Sequence, residues 1–588
     1  MKTEPETPPS GLSCSELSVP RRVLLARRGH DESCLVNHRL KVTEASESGS
    51  APLQVTSPLE VNFGTRVAAL SRAELSGPHL RLRITVEARS PIRRRTTLPL
   101  HLGLSGKTVI IDEAHAYDAY GHALTIRLLE WLGHLGVPVV LLSATLSGPI
   151  ARRLVDAYRS GAGHTTPSKV TASYPGWLFA DSETGAVTAS QVITSTRART
   201  LAVDLVQVRH THEITLADGR PRQLDSELVP LYDAVQDPGS VLIVCNTVPD
   251  AQQTYLALTG RRGNRAPRVL LLHARMPVWQ REEITNTLLE LFGPKSPRPK
   301  EPLIVVTTQI AEQSLAVDFD LVISDLAPLA QLLQRAGRGH RHSLGTRGTR
   351  PSWASKPRLV VLVPTGELPP PARGEVYDAA LLRRTRDRLL TLQNSPIEIP
   401  NDVAGMIDNV YTELNDLADR TLPDDHERAR RNAGHAAAAD AAAIPAPGNV
   451  TDLYPMTDRE IDPATLTTRL GADSERILPI YISPDGKRWI GTGCTEPLPM
   501  PSPGRNQLDR DTVACLIRLT VQAPSRYLPH DDPETHTPRE WAKTPAASEL
   551  RLLPHPVSGV GTPGVYSNGR HALRLDPQLG LVRQRAGQ

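Results

Sequence analysis

Short runs of β-branched and aliphatic residues alternate with amphipathic stretches from Thr108 onwards. This alternation is typical of a parallel sheet covered by helices. We predict a first unit made of strand 108–111, a helix over 119–135, strand 137–143 and a helix over 149–158. From this point the fold class is therefore predicted to be α/β.

A second series of the same kind begins at Val241 and predicts a second, complete α/β domain. Its strands are predicted at 241–245, 269–272, 303–307, 321–324 and 358–363. Helices are predicted to begin at 249, to cover 278–291 and to lie near 330–337.

The flanking regions have a different pattern. Residues 1–100 have no sustained helical or strand period, and we predict no regular structure there. Two helical stretches, 375–392 and 403–417, lead into the alanine-rich segment 433–447, which we interpret as a linker. Short strands at 477–483, 513–521 and 572–575 predict a small C-terminal domain. The resulting division of the chain is 1–100, 101–215, 216–370, 371–475 and 476–588.

Composition narrows the class of protein. A chain of 588 residues is too long for one hydrophobic core, so three or four domains are expected. It has no run of about 18 apolar residues and no signal-peptide pattern, which predicts a soluble, cytoplasmic protein without a membrane partner. The five cysteines form no Cys-x-x-Cys pair, which argues against a thiolate zinc site. A net charge of +4 permits nucleic-acid binding but is too small to predict it.

Candidate chemistry begins at Asp112 and Glu113, a carboxylate pair directly after a predicted buried strand. In α/β sheets this edge binds ligands, and such a pair can hold Mg²⁺ and orient an attacking water. The alternative is an acidic first turn on the helix that follows. Ser143 and Thr145 stand at the end of the next predicted strand, where two hydroxyls could link a nucleotide site to a nucleic-acid track.

The stretch 334–341, Gln-Arg-Ala-Gly-Arg-Gly-His-Arg, places Arg338 and Arg341 three residues apart at a predicted helix end. Two guanidinium groups in this position could reach a γ-phosphate across a domain cleft. Such arginine fingers raise phosphoryl-transfer rates by about 10³ to 10⁵ in other enzymes. The alternative interpretation is a basic, solvated turn.

These motifs carry a resemblance to a known family. The run 109–118, Val-Ile-Ile-Asp-Glu-Ala-His-Ala-Tyr-Asp, resembles that of the signature helicase-nuclease of type I CRISPR systems, and so do 308–315, 318–328 and 334–342. The similarity covers about residues 100–356, and a weaker one covers 513–582. Among the subtypes, the pattern is most similar to subtype E.

The resemblance implies tandem RecA-like helicase domains, the first incomplete here, followed by a helical linker and a small C-terminal domain. It implies an ATP- and Mg²⁺-dependent translocase that moves 3′ to 5′ on single-stranded DNA in antiviral defence. A crRNA-guided surveillance complex would recruit it, and a fused metal-dependent HD nuclease would cut the DNA.

The resemblance also assigns roles to single residues. Asp112 would bind Mg²⁺, Glu113 would activate water, and Ser143 and Thr145 would couple the two sites. The implied nucleotide contacts are Asp112, His115, Gln334, Arg338 and Arg341. The implied nucleic-acid contacts are Asn246, Thr247, His273, Arg275 and Thr308, although His273 fits an ordinary packed histidine equally well.

The sequence departs from the family pattern at three places. A phosphate-binding loop needs Gly-x-x-x-x-Gly-Lys-Ser/Thr after a strand. The only Gly-Lys-Thr here, 106–108, has His101 in place of the first glycine, and we interpret it as the entry to the strand that follows. His30-Asp31 lacks the further histidines that a two-metal HD site requires. Ala316 replaces an aspartate that contacts the ribose in related helicases.

Two hypotheses therefore stay open. In the first, the chain is an ATP-dependent DNA translocase whose phosphate-binding loop and nuclease are supplied by a separate polypeptide. In the second, it is a truncated or frame-disrupted remnant that acts at most as a DNA- or partner-binding module. A third, an unrelated DEAH-type RNA helicase, is disfavoured by the Ala-Tyr-Asp extension at 116–118 and the Asp-Leu-Ala-Pro run at 325–328.

Overall fold

The structure is a computed structural model. It describes the backbone of 22–27, 59–62 and 79–83 and, in the rest of the chain, residues 107–114, 118–171, 173–193, 198–208, 239–260, 267–312, 315–344, 348–370, 376–392, 395–412, 422–450, 474–491, 496–529, 532–558, 562–568 and 571–585. No helix among these residues is long and apolar enough to cross a membrane.

The first sheet has seven strands in the order β2-β3-β4-β5-β1-β6-β7. They are β1 (Arg22–Arg27), β2 (Leu59–Asn62), β3 (His79–Arg83), β4 (Thr108–Ile111), β5 (Val139–Ser143), β6 (Gly176–Asp181) and β7 (Gln191–Val192). The first five strands of this order are parallel, and β6 and β7 each run antiparallel to the strand before them.

Two helices pack with this sheet, α1 (Ala119–His134) and α2 (Gly148–Gly161), close to the predicted bounds. The sequence predicted no regular structure before residue 100, whereas the structure has three strands there. Each of these strands is only four to six residues long. Runs this short carry too little periodicity to be separated from loops.

The second sheet has the order β10-β11-β9-β12-β13-β8-β14 and is parallel except for β14. Its strands are β8 (Arg199–Val208), β9 (Gly239–Val244), β10 (Arg268–Leu272), β11 (Pro302–Thr307), β12 (Leu321–Asp325), β13 (Arg358–Pro364) and β14 (Ile397–Ile399). Helices α3 (Val248–Thr259), α4 (Val278–Phe292) and α5 (Leu329–Ala336) complete the domain.

Five of these strands and all three helices were predicted to within three residues, because continuous apolar runs buried on both faces give a strong signal. Strand β8 pairs with β13 in the second sheet. The predicted boundary between residues 215 and 216 assigned this segment to the first domain, so the second domain begins earlier in the structure than in the prediction.

Helices α6 (Ala379–Leu390), α7 (Val403–Val410) and α8 (Pro423–Ala442) follow. The alanine-rich segment interpreted as a linker forms the second half of α8. Its Ala439 and Ala442 pack on Tyr120 of α1, since small side chains allow two helices to approach closely. At its other end, Asp424 and Asp425 pair with arginines of α6. The helix therefore bridges the two sheets.

The C-terminal domain contains two small sheets. Its elements are β15 (Ser474–Ile482), β16 (Arg488–Ile490), β17 (Glu496–Pro497), α9 (Arg510–Leu519), β18 (Val521–Pro524), α10 (Pro545–Ser548), β19 (Arg551–Ser558), β20 (Thr562–Pro563), β21 (Tyr566–Ser567), β22 (His571–Asp576) and β23 (Gly580–Arg585). The strand predicted at 513–521 was wrong. Val513, Leu516 and Leu519 are spaced by three residues, so they lie on the buried face of α9. Asp509 caps this helix.

Candidate nucleotide and nucleic-acid site

The acidic motif lies at the carboxyl end of β4. Asp112 and Glu113 are half-buried, and the Ala114 amide donates to the Leu142 carbonyl oxygen at 3.0 Å, which ties this turn to β5. The Glu113 amide donates to Asp112 Oδ1 at 2.9 Å. Glu113 has a φ of 54°, a left-handed conformation that costs a residue with a Cβ about 1–2 kcal/mol. Strain of this kind concentrates at functional sites.

The coupling residues lie at the same edge of the sheet. Ser143 ends β5 and is fully buried, and Thr145 follows it. Because β4 and β5 are parallel, with Ile111 opposite Leu141, the structure brings the acidic and coupling motifs together. The Thr145 hydroxyl is buried, and no described residue offers it a hydrogen bond.

The Gly-Lys-Thr stretch lies elsewhere. Thr108 is the first residue of β4, which confirms that Lys107 and Thr108 lead into this strand. Four residues of strand span about 13 Å, so Lys107 lies at the end of β4 opposite to Asp112. His115, His30 and Asp31 are outside the described residues.

The two predicted finger arginines lie after α5 and are buried in this structure, each about 5% exposed. Arg338 donates to the carbonyl oxygens of Ala311, Glu312 and Leu315 at 2.7–2.9 Å. Arg341 also donates to the Leu315 carbonyl oxygen, at 2.9 Å. Both guanidinium groups therefore hold the segment that follows β11.

Arg335 was not singled out from the sequence, yet its side chain makes five hydrogen bonds in the structure. It is fully buried on α5 and donates to Glu312 Oε1 at 2.8 Å, Asn246 Oδ1 at 3.2 Å and Ser324 Oγ at 2.8 Å. It also donates to the Tyr377 hydroxyl. The sequence signal was an arginine between Leu332, Leu333 and Ala336 on the buried face of a helix. Gln334, beside it, is half-buried.

A buried ionic cluster lies behind the arginine motif. Asp318 accepts from Arg350 Nη2 at 2.9–3.0 Å and from the Arg341 amide at 2.9 Å. Asp320 pairs with both Arg298 and Arg350. Each of the two carboxylates is thus paired with at least one guanidinium group, as buried charges require. The cluster fixes the backbone that carries Arg341.

Three of the predicted nucleic-acid contacts have structural partners. Asn246 uses its side chain internally, since Nδ2 donates to the Leu326 carbonyl oxygen at 2.7 Å and Oδ1 accepts from Arg335. Thr247 caps α3 and hydrogen bonds to Asp250. Thr308 is buried, and its carbonyl oxygen accepts from the Ala311 amide.

His273 and Arg275 follow β10 and meet the C-terminal domain. The Arg275 carbonyl oxygen accepts from the Leu581 amide at 2.8 Å. Gly580 has a φ of 68°, and a Cβ there would lie 2.5 Å from the same oxygen, so only glycine allows this approach. The guanidinium carbon of Arg275 lies 5.2 Å from the centre of the Tyr527 ring, and that of Arg583 lies 5.4 Å from it.

His273 is fully buried, and its Nδ1 accepts from the Arg275 amide at 3.2 Å. Burial, reinforced by the positive charge of Arg275, lowers the pKa of His273 to about 3. The imidazole is therefore neutral at physiological pH. As the sequence allowed, His273 is a packed histidine in this structure.

The edge formed by Asp112 and Ser143 fits a magnesium nucleotide by its donor set. Mg²⁺ in phosphoryl-transfer sites is held by one or two carboxylates together with substrate phosphates and waters. Among the described residues, no group of three or more histidine, cysteine, aspartate and glutamate side chains could hold a metal by itself. Asp112, a single carboxylate with Glu113 beside it, matches a site in which phosphates and waters supply the remaining ligands of the metal.

Comparisons with known proteins relate the chain to one family. The sequence profile described as "CRISPR-associated nuclease/helicase Cas3, C-terminal" matches residues 237–344. A "CRISPR-associated endonuclease/helicase Cas3" from Thermus thermophilus is 29% identical over 553 residues, 82% of this chain and 54% of its own length. The chain is a relative of the Cas3 helicases of type I CRISPR systems.

Solved structures of Cas3 agree with this assignment. The ATP complex of T. fusca Cas3 is 34% identical over 90% of this chain and 62% of its own, with a TM-score of 0.76. A chain of a structure described as "CRISPR RNA-guided surveillance complex, pre-nicking" is 36% identical over 84% of this chain and 59% of its own, with a TM-score of 0.68. The tandem RecA-like fold predicted from the motifs is confirmed, and the chain spans a little over half the length of these relatives.

Proposed function

We propose that this chain is an ATP-dependent 3′-to-5′ translocase of single-stranded DNA that acts in type I CRISPR interference. The observation that carries the proposal is the arrangement of its motifs. Acidic and coupling residues meet at the carboxyl edge of the first sheet, and the arginine motif follows β12 of the second sheet.

Within this proposal, Asp112 would hold the Mg²⁺ of a bound nucleotide, and Glu113 would orient the attacking water and accept its proton. The left-handed backbone at Glu113 fixes where its carboxylate points relative to Asp112. The buried Thr145 hydroxyl and the nearby Ser143 would couple the nucleotide site to the DNA-binding site.

Arg338 and Arg341 act as fingers only when they leave the carbonyl oxygens of Ala311, Glu312 and Leu315. Each bond they give up is charge-assisted and contributes roughly 1.5–3 kcal/mol, which the charge of a triphosphate can replace. In the proposed cycle, nucleotide binding therefore releases the segment after β11, and this segment begins with the predicted DNA contact Thr308.

The partners follow from the same proposal. Single-stranded DNA is the substrate, a crRNA-guided surveillance complex of the subtype E kind recruits the chain in the cytoplasm, and a separate polypeptide supplies the phosphate-binding loop and the nuclease. Contacts from Asn246, Thr247, Thr308 and Arg275 to the DNA backbone would be independent of DNA sequence and sensitive to salt.

ATP hydrolysis tests the proposal. The purified chain alone is expected to bind no detectable ATP, and a mixture with the polypeptide that carries the phosphate-binding loop is expected to hydrolyse ATP when single-stranded DNA is added. Glu113→Gln should abolish this activity, whereas Glu183→Gln, an exposed position in the same domain, should not. A mixture without DNA-stimulated hydrolysis contradicts the proposal.

The second candidate is a non-catalytic remnant that binds DNA or a partner. It is favoured by the position of Lys107 at the wrong end of β4 for phosphate binding. This candidate predicts DNA binding that is unchanged by ATP, by the added polypeptide and by Glu113→Gln. Reading the other two frames of the upstream DNA for a Gly-x-x-x-x-Gly-Lys-Thr loop separates a frame error from a partner-dependent enzyme.

A further inference from the structure

Helix α7 lies between the two sets of motifs. Its Met406, Ile407 and Val410 are buried in the same hydrophobic cluster as Leu329 and Leu333 of α5, the helix that carries the arginine motif. The hydroxyl of Tyr411, at the end of α7, accepts from the Ala330 amide and donates to Gln331 Oε1, both at 3.4 Å. Helix α7 is therefore attached firmly to α5.

The opposite side of α7 reaches the first domain. Asp408 is exposed to solvent on this helix, and its Oδ1 accepts from the Gly148 amide at 2.7 Å. Gly148 is the first residue of α2 and follows the coupling residue Thr145 by three positions. The first amides of a helix have no partner within it. Asp408 thus supplies from the second domain a bond that α2 cannot make by itself.

The geometry of α2 makes this bond specific. Ser147 caps the helix by accepting from the Ile150 amide, its carbonyl oxygen accepts from the Ala151 amide, and residue 149 is a proline without an amide. The Gly148 amide is the remaining donor of this turn. A carboxylate is also the group that the positive end of a helix dipole favours.

We infer that Asp408 is a positioning residue that links the coupling motif of the first domain to the arginine motif of the second. This inference rests on the proposed function. The connection starts at Ser143 and Thr145 and runs through α2 to Asp408. From Asp408 it continues through α7 to α5, which carries Arg335. A movement of one sheet relative to the other would have to break or remake the hydrogen bond between Asp408 and Gly148.

Two substitutions remove this bond from opposite sides. Asp408→Ala removes the acceptor, and Gly148→Pro removes the donor in the first helical turn, where the lost amide makes no hydrogen bond within the helix. The backbone of Ser147 has φ −70° and ψ 152°, the conformation required before a proline. Asp408→Asn keeps an acceptor oxygen, and Asn409→Ala changes an exposed neighbour on the same helix that makes no side-chain bond among the described residues.

The test measures interdomain distance in the full chain by single-molecule energy transfer between fluorophores at the exposed positions 152 and 290, without nucleotide. Asp408→Ala and Gly148→Pro are each expected to widen the distance distribution to the same extent, and the double variant no further. The width of the distribution for Asp408→Asn should lie between that of these variants and that of the unmodified chain. Asn409→Ala should leave the distribution unchanged. Unchanged distributions, or additive effects in the double variant, overturn the inference.

A second readout separates this inference from the proposed function. In the reconstituted mixture, both variants should lower the stimulation of ATP hydrolysis by DNA about three- to tenfold at an unchanged KM for ATP. If the unmodified mixture hydrolyses no ATP, the proposed function fails while the distance measurement still decides the role of Asp408. If hydrolysis is normal and the variants keep full stimulation, the inference about Asp408 fails alone.

Discussion

The acidic edge of the first sheet and the arginine edge of the second sheet are built in opposite ways. At the first, Asp112 and Glu113 are half-buried, and Glu113 is held in a left-handed conformation. At the second, Arg335, Arg338 and Arg341 are buried, and described oxygens accept from each of them. The first edge is strained and partly exposed, whereas the arginines of the second are buried and hydrogen-bonded.

The difference has a physical reason. A carboxylate that must meet a metal and water keeps part of its surface accessible and tolerates local strain. A buried guanidinium group, by contrast, needs an acceptor for nearly every donor, because an unpaired buried charge is very costly. Removal of one of these arginines should therefore destabilise the second domain, whereas relief of the backbone strain at Glu113 should stabilise the first.

The largest expected effect is at Arg335. Arg335→Met leaves the Glu312 carboxylate without its main partner, and removal of one member of a buried pair costs about 3–5 kcal/mol. The free energy of unfolding, measured in urea, should fall by that amount. The double variant with Glu312→Gln should recover part of the loss, and the exposed Arg430→Met should lower stability by less than about 0.5 kcal/mol. A small loss for Arg335→Met would break the comparison.

The next effect concerns the junction with the C-terminal domain. Tyr527 is buried, and the guanidinium groups of Arg275 and Arg583 both lie over its ring. Tyr527→Ala creates a cavity and removes both contacts, and should destabilise the docked C-terminal domain by about 3–5 kcal/mol. Faster proteolysis between the domains would report this. Tyr527→Phe keeps the ring and is expected to leave the cleavage rate nearly unchanged.

The buried histidine beside Arg275 predicts a pH dependence. Since the folded-state pKa of His273 is about 3, the unfolded chain binds a proton below pH 6.5 while the folded chain does not. Stability should therefore fall with decreasing pH between about 6.5 and 3, by up to about 1.4 kcal/mol per pH unit from this residue. The slope of the unfolding free energy should be smaller in His273→Gln, and the difference between the two proteins should be constant above pH 8. Equal slopes would contradict a neutral buried imidazole.

The smallest expected effect concerns the backbone strain at Glu113, on the acidic edge of the first sheet. Glycine adopts a φ of 54° without the clash of a Cβ, so Glu113→Gly should be more stable than Glu113→Ala by about 1 kcal/mol. Thermal unfolding of the two variants measures this difference directly. Two variants of equal stability would show that the backbone at Glu113 is unstrained.

Local pattern predicted the second α/β domain well. Strands such as β9, β11 and β12 are continuous apolar runs, and their bounds were found to within two residues. The C-terminal domain was harder, because the pattern in 513–521 fits a strand by composition and a helix by its spacing of three. Helix α8 was missed as a structural element, since its alanines acquire a role only when α1 supplies a surface to pack on.

By itself, the sequence indicated the resemblance to a family, the order of the motifs and the placement of Asp112 and Ser143 at the ends of strands, because continuous apolar runs mark strands whatever surrounds them. Tertiary structure alone decided that Arg335 is the centre of the arginine motif and that Arg275 meets Tyr527. It also decided that Asp408 reaches Gly148. These contacts join residues 11 to 260 positions apart, and no local period records which distant side chain will fill a given hydrogen bond.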